Sequence, residues 1–175
     1  MKSTSYSSLL PRVLVVLGDL GMLVGAIDPM EGSAVILPGC GLVALGTYLE
    51  RGERRLITYR VLVFILVAVG VGALWALSSL GGFGGGSGHS MWWGMLILPY
   101  LIGWSMGIWG PGSPRWMLWL GMAVSLWYLA LAVMVQLHPR PSHNLVSVVM
   151  GALGLLTIGG CISRLRNQAS TSGTS

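Results

Sequence analysis

The sequence predicts an all-α polytopic membrane protein, a bundle of six transmembrane helices with both termini in the cytoplasm. Three observations carry this prediction. Apolar types make up 54% of the 175 residues and charged types only 9%, against about 25% charged in ordinary soluble domains. Six apolar runs follow one another, most of them near the length of about 20 residues that crosses a bilayer. The basic residues also fall on alternate loops. Ten basic and five acidic side chains, nearly all outside the apolar runs, cannot coat a soluble fold. The net charge of +5 does not form one patch, so no nucleic-acid partner is expected.

The first apolar run covers 9–27 and is interrupted by Asp19. Arg12 and Asp19 break what would be a signal-peptide core, and no Ala-x-Ala site ends it, so no cleavage is expected. The second run, 34–49, is short and contains Leu37-Pro38-Gly39-Cys40-Gly41. The third, 57–78, is the cleanest, and the fourth, 91–109, carries Pro99 near its middle. Runs at 116–137 and 145–162 complete a single domain over 1–166, and the polar stretch 167–175 reads as a disordered cytoplasmic tail. Uninterrupted apolar runs satisfy their backbone inside lipid as helices and lack the alternation of barrel strands.

Loop charge orients the bundle. With the N-terminus inside, Lys2, Arg12, Arg51, Arg54, Arg55, Arg60, Arg115, Arg164 and Arg166 fall on the cytoplasmic side, and only Arg140 falls outside. This is a positive-inside pattern. It also supports the short second helix, without which the loop from Arg51 to Arg60 would change sides. Trp92 and Trp93 open the fourth run at one interface, and Trp109, Trp116 and Trp119 bracket the other, as an aromatic belt does. Trp75 and Trp127 lie deeper, where they could pack between helices.

Small residues recur four apart: Gly21 and Gly25, Gly103 and Gly107, Gly121 and Ser125, and the stripe Ala68, Gly72, Ala76. Such faces let helix backbones approach closely. Cys40 and Cys161 sit inside apolar runs and behave as small hydrophobes, without the spacing of a disulfide framework or metal site.

Asp19 is the principal candidate for a functional group. A carboxylate at the middle of a spanning helix costs about 2.5 to 3.5 kcal/mol on insertion scales and normally faces the bundle interior or a cavity. Gly18, Gly21 and Gly25 beside it let a neighbour come near. No lysine or arginine reads as lying at matching depth, and Arg12, about 10 Å away along the axis, compensates it only in part. Two readings follow, a proton- or cation-coupled site and a neutral acid that clasps another helix. Asp28 and Glu31 most simply cap an Asp-Pro turn at the outer face.

Other constellations carry less. His89, His138 and His143 share the outer face with Asp28 and Glu31, but His138-Pro-Arg-Pro-Ser-His143 matches no ligand motif, so no metal or other cofactor is expected. Pro38 with Gly39, and Pro99, are helix breaks that could free carbonyls toward a cavity, as in transporters, or form simple kinks. Gly85-Gly86-Ser87-Gly88 resembles the Gly-x-Ser-Gly nucleophile motif of rhomboid intramembrane proteases. No histidine occupies a predicted helix to serve as its base, so the fixed nucleophile–base geometry is missing.

Asp28-Pro29-x-Glu31-Gly32-Ser33, Leu74-Trp75-Ala76-Leu77-Ser78 with Gly81-Gly82, and Trp92-Trp93-Gly94 with Leu98-Pro99-Tyr100 together resemble a group of uncharacterised small multipass bacterial inner-membrane proteins. The resemblance implies a bacterial inner membrane and brings no activity, cofactor or functional residue. The expectation is therefore a non-enzymatic membrane protein, a structural or accessory component of a membrane assembly. Its partners are the lipid bilayer and, through small-residue faces, other membrane proteins or itself. A transporter or channel using Asp19 is the alternative.

Overall fold

The computed structural model describes residues 6–26, 31–82, 90–137 and 144–172. All regular structure among the described residues is helical: α1 (Tyr6–Gly25), α2 (Ser33–Leu49), α3 (Arg54–Ser79), a 3-10 segment (Met91–Ile97) leading into α4 (Leu98–Trp109), α5 (Arg115–Leu137) and α6 (Asn144–Ser172). Three stretches, Arg54–Ser79, Arg115–Leu137 and Ser147–Ser170, are long and apolar enough to cross a membrane. The apolar helices Ser33–Leu49 and Trp93–Trp109 are shorter.

Sequence neighbours form hairpins, α1 on α2 and α5 on α6, while α3 packs against α2 and α4. The shared core joins Met22, Ile36, Val43, Val67, Ile108, Met117, Leu118 and both cysteines. Large apolar side chains also cover the outside, among them Val24, Ile65, Trp119, Leu126, Met134 and Leu156. In a protein with this composition such an outer surface suits lipid rather than water.

The first hairpin closes through backbone contact. A Cβ on Gly18 would lie 2.5 Å from the Gly39 carbonyl oxygen, and one on Gly39 would lie 2.9 Å from the Gly18 carbonyl oxygen. Gly46 likewise meets the Pro11 carbonyl. Only hydrogen fits at these crossings, which is how small residues bring helices together where no hydrophobic force separates them from lipid. The expected stripe through Gly72 does not do this, since a Cβ there would meet nothing within 4 Å. Two residues earlier, Gly70 is the α3 glycine that touches a neighbour, the backbone of Tyr100. A spacing of four finds a helix face without saying which helix it meets.

Several further expectations change. Trp127 is 62% exposed and points outward, whereas Trp75, though 57% exposed, donates its indole N–H across to Ser33 Oγ of α2 at 3.0 Å, and Trp104 is buried and donates its indole N–H to the Met22 carbonyl at 3.1 Å. Pro99 does not kink the middle of a helix. It sits in the first turn of α4, where its missing N–H costs nothing, and its ring clash with the carbonyl four residues back accounts for the 3-10 form of the preceding segment. Pro38 does not break α2, which runs through it from Ser33 to Leu49. Of the stretch 167–175, residues 167–172 form the last turns of α6, and 173–175 lie outside the described residues. These turns are held because Arg115 donates to the Gln168 carbonyl at 3.2 Å and the Gln168 amide donates to the Ser113 carbonyl at 3.3 Å.

Two helix ends make the same turn with different residues. Beyond α3, Gly82 N–H donates to Leu77 and Gly81 N–H to Ser78, with Gly81 at φ +85°. Beyond α2, Gly52 N–H donates to Thr47 and Arg51 N–H to Tyr48, with Arg51 at φ 54°. Both are Schellman turns, whose left-handed position normally belongs to glycine. At the end of α2 an arginine occupies it.

Candidate functional site

Asp19 lies one residue beyond the Gly18–Gly39 crossing, on the side of α1 that also buries Met22. Its relative exposure is 0%, while Leu17, Leu20 and Val24 around the helix are 42% exposed or more. The carboxylate therefore faces the protein interior and not the outer apolar surface. Neither carboxylate oxygen has a hydrogen-bond partner within the protein.

The counter-charge is a residue that reads from the sequence as part of a cytoplasmic loop. Arg60 is the seventh residue of α3 and is only 4% exposed. Met22 and Val63, three residues on from Asp19 and Arg60 in α1 and α3, both pack at Gly107, so the carboxylate and the guanidinium lie at the same level and act on each other electrostatically without direct contact. The direct ion pair found among the described residues is Arg12–Glu50, at 3.9 Å and on the surface. Arg12 is thus engaged with the end of α2 rather than with Asp19. Arg60 Nη2 donates to the Pro111 carbonyl at 3.3 Å, and its Nε and Nη1 have no protein partner. Asp19 has a cation after all, from a side chain long enough to carry charge inward from the start of its helix.

Cys40 completes the cluster. It is 2% exposed on α2, next to Gly39, and within electrostatic range of both Asp19 and Arg60. Tyr59 precedes Arg60, and its hydroxyl donates to the Met106 carbonyl at 2.7 Å. These bonds from Tyr59 and Arg60 tie the start of α3 to the last turns of α4 and to the α4–α5 turn, where Gly112 adopts φ +80°. The turn thereby fixes the arginine stem. Gly39 lies at the helix crossing with Gly18.

A second polar cluster lies between α4, α5 and α6. A cavity of about 50 Å³ is lined by Ser105, Ser125, Thr157, Tyr100, Trp104 and Tyr128 among others, and not by Pro38, Gly39 or Pro99. The Thr157 and Ser105 hydroxyls bond at 2.9 Å, and Tyr128 donates to the Ala26 carbonyl. Ser125 Oγ is fully buried and has no partner. From the sequence Ser125 reads only as a small residue for packing. Ser, Thr and Tyr spread over three helices carry no spacing signal, so the cluster is visible only once the helices are packed.

Of the other singled-out residues, Asp28, His89, His138, His143 and the Gly85–Gly88 motif lie outside the described residues, and Glu31 is an exposed turn residue whose carbonyl accepts from Ala34 N–H at 3.2 Å. Chemically, a carboxylate and a guanidinium held apart in a buried setting can lock helices through charge or bind a small polar group. No family model, curated protein or solved structure matches this chain.

Proposed function

We propose that this chain is a six-span bacterial inner-membrane protein with both termini in the cytoplasm, acting as a structural or accessory component of a membrane assembly and not as an enzyme. The observation that carries the reading is the contrast between its inside and its outside. The polar chemistry is turned inward at Asp19, Arg60 and Ser125, while α5 offers an outward apolar ridge that includes Trp119, Leu126, Trp127, Met134 and Leu137. A helix face of that kind packs equally well on lipid and on an apolar partner helix. Topology follows from labelling of Glu31→Cys and Glu53→Cys in a background lacking Cys40 and Cys161. The two positions react from opposite sides of the membrane, and reaction from one side overturns the six-span arrangement. Native mass measurement after mild extraction tests the role. The reading expects the 18.6 kDa chain within a larger protein assembly, and a lone polypeptide carrying lipid alone contradicts it.

The orphaned carboxylate of Asp19 supports a second reading, a transporter or channel using Asp19 as a proton- or cation-coupled site. Intramembrane ionisable residues commonly mark such paths. In sealed vesicles with a pH-sensitive dye, Asp19→Asn then abolishes coupled flux while the protein remains folded. Unchanged flux removes this role.

A further inference from the structure

We infer that Asp19 and Arg60 form a water-binding site, holding water between carboxylate and guanidinium and admitting neither a metal cation nor a halide. Four side-chain atoms of one electrostatically linked pair, Asp19 Oδ1 and Oδ2 and Arg60 Nε and Nη1, are buried without a protein partner. Buried charged groups in native proteins are almost always hydrogen-bonded, because leaving one unpaired costs more than the bond itself returns. The two groups are not in direct contact, and a group that bonds to both can bridge them.

The charges decide what that group is. Arg60 offers only donors and the carboxylate offers acceptors, so the occupant must accept from one side and donate to the other. A sodium or potassium ion would satisfy Asp19 and be repelled by Arg60, and chloride would do the reverse. Water does both. The remaining groups near the pair leave this conclusion intact. Cys40 contributes no hydrogen bond to the carboxylate, Tyr59 is committed to the Met106 carbonyl, and Arg60 Nη2 to that of Pro111. Hydration of the pair does not depend on either proposed role. Under the transport reading, on which this last step rests, the coupled species is a proton and not an alkali cation.

The test uses the full-length, isotopically labelled wild-type chain in lipid bilayers, so no variant needs to fold. Solid-state NMR transfer of magnetisation from water is timed at Asp19 Cγ and Arg60 Nε, with fully buried Val67 as the dry reference and exposed Arg51 as the wet one. The site is expected to polarise several-fold faster than Val67. A build-up as slow as that of Val67 overturns the inference. Replacing sodium by N-methylglucamine, and then chloride by gluconate, is expected to leave the Asp19 and Arg60 resonances in place. A shift that follows either ion shows that the site takes that ion and overturns the exclusion. Because hydration and flux are read separately, a dry site leaves the transport reading to its own assay, and absent flux leaves the water site standing.

Discussion

The two hairpins, α1–α2 and α5–α6, solve the same problem of joining antiparallel apolar helices in different ways. In the first, glycines bring backbones into contact, and the space removed beside them holds a carboxylate and, from α3, its counter-charge. In the second, the glycines are looser. A Cβ on Gly154 of α6 would lie 3.2 Å from the Ser125 carbonyl oxygen of α5, one on Gly151 would meet nothing nearer than 3.8 Å, and one on exposed Gly159 nothing at all within 4 Å. There Gln136 Nε2 of α5 donates to Ser147 Oγ of α6 at 2.7 Å, and hydroxyls around a small cavity tie the pair to α4 and to Ala26. The first hairpin thus depends on fit and charge together, and the second on ordinary side-chain packing. This difference predicts where substitutions hurt.

The largest effect is expected at the charge pair. Arg60→Met leaves Asp19 buried without compensation and should cost about 3 to 5 kcal/mol of stability, the usual penalty for breaking a buried pair from one side. Reversible unfolding in mixed micelles measures it, and a loss no larger than that of a surface variant such as Arg12→Ala would remove Arg60 from the site. Next comes the crossing itself. Gly18→Ala forces a methyl group against the Gly39 carbonyl and should cost about 1 to 3 kcal/mol, as overpacking does. By contrast, Gly159→Ala, with open space around it, should gain up to about 1 kcal/mol through helix propensity. Equal responses at the two glycines would erase the contrast between the hairpins.

Smaller effects sharpen it. Ser125→Ala removes a buried hydroxyl that has no protein partner and should be neutral or stabilising by about 1 kcal/mol, whereas Thr157→Val breaks bonds to Ser105 and Leu153 and should lose a similar amount. The smallest gain lies at the turn after α2. Arg51→Gly relieves a left-handed conformation and should stabilise by up to about 1 kcal/mol after glycine's own entropy cost. Gly81→Ala, at the matching position after α3, should lose stability in the same assay.

The helical character and the three long apolar helices are legible from hydropathy, because lipid imposes one structural solution on an apolar run of that length. Asp19 is legible as a costly residue for the same reason. Its partner is not. Arg60 reads as a loop charge because counting basic residues by side uses their chain position and ignores the reach of a long side chain. Gly72 and Gly70 illustrate a second limit. Both sit in α3, yet only the packing of α4 decides which of them must be small. Trp127 shows a third, since depth along a helix does not say whether a ring faces inward. In each case the missing information is the rotation of one helix against another.

The central claim is that Asp19 and Arg60 act as one buried unit. A double-mutant cycle with Asp19→Leu, Arg60→Met and the combined variant tests it most directly. The account predicts that each single change is strongly destabilising and that the double variant is more stable than either, because no uncompensated charge remains. Additive losses, with the double variant least stable of all, would contradict it.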